Sequence, residues 1–157
     1  MSEPEPDEDV QRCWMELNRI RALLVQAVDR KLRQAGLPPL TWYDILWTIE
    51  KRGGAVRPQE VRQDLIFEPS ALSHMARRME KAKLIETVTA PDDGRGKLLT
   101  LTPAGREARR QVWKIYAPML EKHLAPLSSL QDIGRFTEVL RDARQSLQSQ
   151  GENDLVA

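Results

Sequence analysis

The apolar residues of this chain recur at steps of three and four residues over most of its length, and this pattern changes to alternation only between Leu84 and Leu101. Steps of three and four place side chains on one face of an α-helix, whereas alternation places them on one face of a β-strand. The sequence therefore predicts a mainly α fold with a small β-hairpin. Its 157 residues suffice for one domain with a buried core, without disulfides or a metal.

Boundary residues divide the part before the hairpin into four helices. The first spans residues 10–36, where the apolar stripe ends at a glycine that two prolines closely follow. Thr41 is predicted to cap the second helix, which stops at Gly53-Gly54. A short third helix begins near Pro58, and Pro69 occupies the favoured first position of a fourth.

Two strands follow, Ile85–Thr89 and Leu98–Leu101, joined by a polar, glycine-containing turn over residues 91–97. The third helix, a short turn and the fourth helix form a helix-turn-helix. The hairpin that comes next makes this motif winged.

Two more helices are predicted after the hairpin. Thr102 and Pro103 supply the N-cap and the first-turn proline of the fifth, which Pro118 should kink or end early. Pro126 and Ser128-Ser129 are expected to open the sixth. The long first helix and the last two are hard to bury in one small globule, so a second copy of the chain is the simplest cover for their apolar stripes. This predicts a homodimer; the alternative is that these helices pack against one another and on the middle of the chain.

Charge is distributed unevenly along the sequence. Residues 1–9 carry five acids and no base, whereas residues 10–151 hold 24 basic and 16 acidic residues, a net charge of +8. A basic folded part favours a polyanionic partner, although salt-bridged helix surfaces also use Lys and Arg freely. No apolar run exceeds four residues and the acidic start lacks a signal-peptide pattern, so a cytoplasmic protein without membrane contact is expected.

The fourth helix separates its polar from its apolar residues. At about 100° per residue, the apolar side chains fall on one side of the helix and a polar, basic set falls on the other. The inward residues are Leu72, Met75, Ala76 and Met79, and the outward ones are Ser70, Ser73, His74, Arg77, Arg78 and Lys81. Small hydroxyls allow close approach to a DNA major groove, where arginine can fork onto guanine. The alternative is an ordinary solvated face.

The predicted wing turn is also basic. Arg95 and Lys97 stand beside glycines, and an arginine on such a turn can reach into a narrow minor groove. Asp93 disfavours phosphate and is expected to hold a neighbouring arginine in place.

Together these residues resemble the MarR family of bacterial transcription regulators. The resemblance is carried by Ser-Ala-Leu-Ser-His in the fourth helix, Asp93-x-Arg95 in the turn and Leu101–Gly105 after it, with a further match at residues 40–46. The order of elements matches over residues 10–148. The resemblance implies a winged helix-turn-helix flanked by N- and C-terminal dimerisation helices.

The resemblance also implies how the chain is divided. It predicts an acidic flexible arm (1–9), an N-terminal dimerisation helix (10–36), a winged helix-turn-helix DNA-binding domain (41–101), C-terminal dimerisation helices (102–148) and a flexible tail (149–157). Such a homodimer would bind a pseudo-palindromic operator in double-stranded DNA as a transcription regulator. The form expected is a repressor that a small-molecule or oxidative signal releases.

By matched position, the resemblance assigns the major groove to Ser70, Ser73, His74, Arg77 and Arg78, and the wing contact to Arg95 with Lys97, steadied by Asp93. Two residues depart from the family pattern. Lys83 stands where the family usually has Gly at the end of the recognition helix, which is the fourth helix here, so this terminus is expected to be strained or differently shaped. Arg57 replaces the usual Ser or Thr cap of the third helix and adds a candidate phosphate contact.

Two features suggest a sensor. Some family members sense peroxides through a cysteine in the first helix, where this chain has its single cysteine, Cys13; a buried structural thiol is the favoured interpretation. Aromatic side chains on the first, second and fifth helices allow a pocket for a small aromatic effector, although ordinary core and dimer packing is favoured. The candidate pocket residues are Trp14, Trp42, Tyr43, Trp47 and Trp113.

No enzyme, cofactor or metal site is indicated by the sequence. It contains no Gly-rich phosphate loop and no recognisable nucleophile–base pair, and neither His74 nor His123 has neighbours at metal-ligand spacing. The alternative function is a winged-helix module that docks a protein partner without binding DNA. That function predicts an apolar or acidic face on the fourth helix, whereas this one is basic and polar.

Overall fold

The structure describes residues 5–90 and 96–154 of the chain in a computed structural model, and these residues contain six α-helices and a three-stranded antiparallel sheet. In chain order, the elements are α1 (Glu8–Gln34), α2 (Leu40–Lys51), β1 (Ala55–Val56), α3 (Pro58–Leu65), α4 (Pro69–Lys81), β2 (Ile85–Thr89), β3 (Lys97–Leu101), α5 (Pro103–Leu124), a 3-10 helix (Ala125–Ser129) and α6 (Ile133–Asp154). The fold is a winged helix-turn-helix with flanking helices, which confirms the predicted fold class.

The sheet joins the two wing strands, β2 and β3, to β1, the strand directly before α3. β3 lies in the middle, with β2 on one side, where Ile85 pairs with Leu101, and β1 on the other, where Val56 pairs with Leu99. The strand β1 was not predicted, because two residues are too short to show an alternating pattern.

The chain divides into two compact units, one up to Met119 and the other from Leu120 onward. The first unit contains two apolar clusters. The cluster of the winged domain joins α2, α3, α4 and the sheet, and it includes Ile45, Leu46, Ile49, Val61, Leu72, Met79 and Ile85. The second joins α1, α2 and α5, and it includes Val28, Leu32, Leu40, Tyr43, Val112 and Met119.

The two N-terminal helices begin at residues other than those predicted. The α1 helix starts at Glu8 rather than at residue 10, because the Asp7 carboxylate accepts a hydrogen bond from the Asp9 N–H at 2.8 Å. Thr41 does not cap α2, which begins at Leu40. The carboxylate of Asp29, on α1, accepts the Leu40 N–H at 2.8 Å instead.

Predictions for the last helices also need correction. Pro118 does not end α5 early, since the helix continues to Leu124; a proline removes one helical hydrogen bond, and buried Val112 and Met119 hold the helix on either side. The α6 helix opens at Ile133 rather than at Pro126, because the Asp132 carboxylate accepts the Arg135 N–H at 2.8 Å. Its backbone remains helical to Asp154, past the predicted start of a flexible tail.

The turn between α3 and α4 contains a strained residue. Ile66 has φ of 56°, in the left-handed region, and its side chain is 63% exposed. A left-handed conformation costs an L-residue roughly 1–2 kcal/mol, and glycine avoids the cost. We therefore expect Ile66→Gly to raise the free energy of unfolding by about 1 kcal/mol in urea denaturation. Ile66→Ala, which keeps a Cβ atom, should give a smaller gain; an equal gain would show that the backbone conformation is not the cause.

Candidate nucleic-acid interface

The helix α4 presents a polar, basic face outward and seats its apolar face in the winged-domain core. Leu72, Ala76 and Met79 are buried, and Met75 is partly buried against the same core, as the helical pattern predicts. All five residues assigned to the major groove, Ser70, Ser73, His74, Arg77 and Arg78, are exposed. Their location on the outward face is confirmed, while their contact with DNA stays a prediction.

The end of α4 bears the strain expected at Lys83. This residue has φ of 60°, its N–H donates to the Glu80 carbonyl at 2.8 Å, and the next N–H, of Leu84, donates to the Met79 carbonyl at 3.0 Å. These two bonds form a Schellman motif, which ordinarily has glycine at this position. The helix therefore ends in the usual way, with a lysine in the glycine conformation.

A single threonine joins the end of α4 to the start of α5. The Thr102 hydroxyl accepts the Gly105 N–H at 2.9 Å, which confirms its predicted cap. The same hydroxyl donates toward the carbonyl oxygens of Lys83 and Leu84, at 2.8 and 2.9 Å. The Thr102 hydroxyl thus connects the backbone that follows α4 to the backbone at the start of α5.

An ion-pair network that the sequence pattern did not reveal fixes α3 to the end of α2. The Arg52 guanidinium binds both oxygens of Asp64, at 2.8 and 2.9 Å, and one oxygen of Glu60 at 3.1 Å. The hydrogen bond to Asp64 raises the pKa of Arg52. The other oxygen of Glu60 accepts the Arg57 N–H at 2.9 Å, so Glu60 supplies a cap hydrogen bond at the start of α3, where an arginine side chain has no acceptor to offer.

The wing is described in part. Asp93 and Arg95 lie outside the described residues. Lys97 is exposed, and it is the first residue of β3, where it pairs with Thr89. Arg57, the candidate phosphate contact, is partly buried at the start of α3.

The aromatic residues proposed for an effector pocket are distributed over several places. The rings of Tyr43 and Trp113 are stacked with centroids 6.0 Å apart, and Tyr116 contacts both edge-on. Trp42, one residue from Tyr43, packs instead against the winged-domain core. Trp14 and Trp47 are exposed.

Cys13 is exposed in the single chain, so the interpretation as a thiol buried within the chain is wrong. The apolar stripe on which it lies is uncovered at its N-terminal end, where Val10 and Trp14 are more than 60% exposed, whereas Val28 and Leu32 further along are buried.

A partly buried carboxyl lies near the aromatic cluster. The pKa of Asp44 is raised to about 6, mainly by burial; the charge of Arg21 lowers it and that of Asp29 raises it, both to a smaller extent. Burial, and then the charge of Asp44, also raise the pKa of Tyr116.

The raised pKa of Asp44 makes stability depend on pH. The folded state binds a proton more tightly than the unfolded state, so this group's contribution to stability falls as the pH rises from about 4 to about 6. After allowance for its partial exposure, the loss should be about 1 kcal/mol. Asp44→Asn, which does not titrate, is expected to be about 1 kcal/mol more stable than the wild type at pH 7.5 and close to it at pH 4. Thermal or urea unfolding across this range measures the difference, and Asp142→Asn, on an exposed carboxyl, should leave the profile unchanged.

Within the described residues, no helix is both long and apolar enough to span a bilayer. The same residues contain no group of three or more His, Cys, Asp or Glu side chains arranged to hold a metal ion.

This chain is similar in sequence and in fold to known proteins. Residues 35–96 match the model of the MarR family. The transcriptional repressor IacR of Pseudomonas putida is 23% identical over 135 residues, which cover 85% of this chain and 78% of that protein. Two MarR family regulators of Streptomyces coelicolor have similar solved structures. AbsC has a TM-score of 0.81 at 24% identity, and the match covers 94% of this chain and 99% of AbsC. Sco3205, solved in complex with DNA, has a TM-score of 0.81 at 23% identity, and the match covers 94% of each chain.

Proposed function

We infer that this chain acts as a DNA-binding transcription regulator of the MarR type, because its residues 35–96 match the model of that family. We propose that it represses transcription as a homodimer bound to a pseudo-palindromic operator. The observation that carries this proposal is the outward face of α4, which is polar and basic over three turns while its opposite face is buried. As the relative IacR is a repressor, repression is the direction proposed here.

The chemistry of the α4 face favours DNA over a protein partner. Ser70 and Ser73 near the helix start leave room for close approach to base edges, and Arg77 carries a guanidinium that can bind guanine with two hydrogen bonds. A docking surface for a protein would be expected to expose apolar side chains here, and its exposed residues are hydroxyl, imidazole and cationic instead. Lys97, exposed at the start of the wing strand β3, is proposed to add a phosphate or minor-groove contact. The sequence pattern assigns a wing contact to Arg95 as well.

A second copy of the chain would cover the exposed apolar residues of the end helices. On α1 these are Val10, Trp14, Met15, Ile20 and Leu23, and on α6 they are Ile133, Val139, Leu140 and Leu147. Exposed apolar side chains in this number along two helices are typical of an interface between subunits. We therefore propose that residues 10–36 and 102–148 dimerise and that residues 41–101 bind DNA, in the cytoplasm. Sedimentation should give twice the chain mass.

The sensor stays a separate proposal. The Tyr43, Trp113 and Tyr116 cluster beside Asp44 offers aromatic walls for a small aromatic effector, and Cys13, in the α1 segment proposed to dimerise, offers a thiol for an oxidant. DNA release is to be measured with aromatic acids and with peroxide, in the wild type and in Cys13→Ser. Peroxide release that persists in Cys13→Ser would exclude this thiol as the switch.

Selection of DNA from a random-sequence pool tests the proposed function directly. The purified full chain is mixed with double-stranded DNA at physiological salt and excess competitor, and bound molecules are amplified and sequenced. A repressor of this kind should enrich one sequence with two half-sites in inverted order, about one helical turn apart. A module that docks proteins would enrich no sequence.

A further inference from the structure

The arginine at the edge of the α4 face lies over an indole ring. Arg78 and Trp42 are on different helices, α4 and α2, and the guanidinium carbon of Arg78 is 5.5 Å from the centroid of the Trp42 ring. This distance is within the range of a cation–π contact. Arg78 is exposed, whereas Trp42 is partly buried against the winged-domain core.

This contact can restrain Arg78 without using the groups that would contact DNA. A cation–π contact uses the charge of the guanidinium and needs no hydrogen-bond acceptor, so the N–H donors that do not face the ring remain available to a base edge or a phosphate. The indole is held by the core behind it, and Arg78 sits at the border between the exposed and buried sides of α4. Trp42 therefore offers the arginine a fixed surface, which lowers the entropy that its long side chain loses on binding.

We propose that Trp42 is a positioning residue for DNA reading, whose indole ring holds the Arg78 guanidinium in place before the operator binds. The proposal depends on the proposed function, since it assigns Trp42 a role in that same interface. It also moves Trp42 from the candidate effector pocket to the DNA-binding machinery. Adjacent Tyr43 points to the other cluster, because neighbouring helical residues are about 100° apart.

A double-mutant cycle tests whether Trp42 acts through Arg78. The probe is the DNA enriched from the random pool, and the affinity is measured for the wild type, Trp42→Leu, Arg78→Ala and the double variant. We expect Trp42→Leu to weaken binding about fivefold in the wild-type background and less than twofold in the Arg78→Ala background. Trp42→Phe, which keeps an aromatic face, should restore most of the loss. The base preference of Trp42→Leu should relax at the same operator position as that of Arg78→Ala.

A structural control separates positioning from loss of packing. Leu65 packs against the same core and, like Trp42, is partly buried. Leu65→Ala should lower the thermal midpoint, and any loss of DNA affinity should be the same with and without Arg78. If Trp42→Leu behaves like Leu65→Ala, with equal losses in both backgrounds, the positioning role is wrong.

If Trp42→Leu does not fold, the Trp42→Phe variant decides. It should bind DNA within twofold of the wild type and keep the base preference, and a loss of affinity as large as that of Arg78→Ala would overturn the proposal. If the pool yields no enriched sequence, or Arg78→Ala binds like the wild type, the DNA-reading assignment itself fails.

Discussion

Replacing Gly105 by alanine is expected to lower the free energy of unfolding by about 3 kcal/mol, at the upper end of the cost of overpacking a core. A Cβ atom at this position would stand well inside van der Waals contact with the Leu84 carbonyl oxygen and 2.9 Å from the Leu101 Cδ1 atom. The oxygen belongs to the backbone at the end of the recognition helix, so it cannot move away as a flexible side chain could. The clash is relieved only if the start of α5 moves away from Lys83 and Leu84, to which Thr102 is hydrogen-bonded.

The measurement for Gly105→Ala is urea denaturation at pH 7.5. Its matched control is Gly134→Ala, near the start of α6, where a Cβ atom would meet one atom of the described residues, the Asp132 Oδ1 atom at 3.4 Å. Alanine is favoured over glycine within a helix, so this control should be neutral or slightly stabilising. Equal stability of Gly105→Ala and the wild type would contradict the close approach of α5 to Leu84.

Local patterns were sufficient to predict the helices and the outward face of α4. Pro69 marks the first turn of that helix, and Leu72, Met75, Ala76 and Met79 follow one stripe, so both the start and the buried side can be derived from neighbouring residues. Thr102 was predicted as a cap for the same reason, because its cap partner, Gly105, is only three residues away.

Long-range partners could not be predicted in this way. The cap of α2 comes from Asp29, eleven residues before Leu40, and the Arg52–Asp64 pair joins the residue that follows α2 to one on α3, twelve residues away. Which carboxylate faces which cation depends on how the helices pack, and no periodicity within one helix specifies it. Ile66 was missed for another reason, since β-branched residues disfavour the left-handed conformation that the turn imposes on it.

The sequence predicts only in part which aromatic residues lie in the same cluster. Trp42 and Tyr43 are adjacent, so a helical wheel places them on different faces and argues against one shared pocket. The wheel does not say which face meets α4 and which meets α5. That assignment required the packing, which puts Trp42 beneath Arg78 and Tyr43 against Trp113.

Arg77→Ala is expected to weaken operator binding by about 2 kcal/mol, roughly 30-fold, and to relax base preference at one position of each half-site. The reason is that a guanidinium fork bound to guanine O6 and N7 discriminates between bases, and alanine leaves those acceptors without a partner. Lys97→Ala should differ in kind. A lost phosphate contact weakens all sequences to a similar extent and reduces the slope of log K against log salt by about 1.

Arg77→Lys separates charge from geometry at the same position, because lysine keeps the positive charge and lacks the planar fork. If Arg77 reads a base, lysine should resemble alanine in its relaxed preference while it retains the salt slope of the wild type. Affinities of the three variants for the selected operator, for operators changed one base pair at a time and for unrelated DNA, at four salt concentrations, give both quantities. An Arg77→Lys protein with wild-type base preference would reduce the role of Arg77 to a phosphate contact and would leave the reading of sequence to other residues on the α4 face.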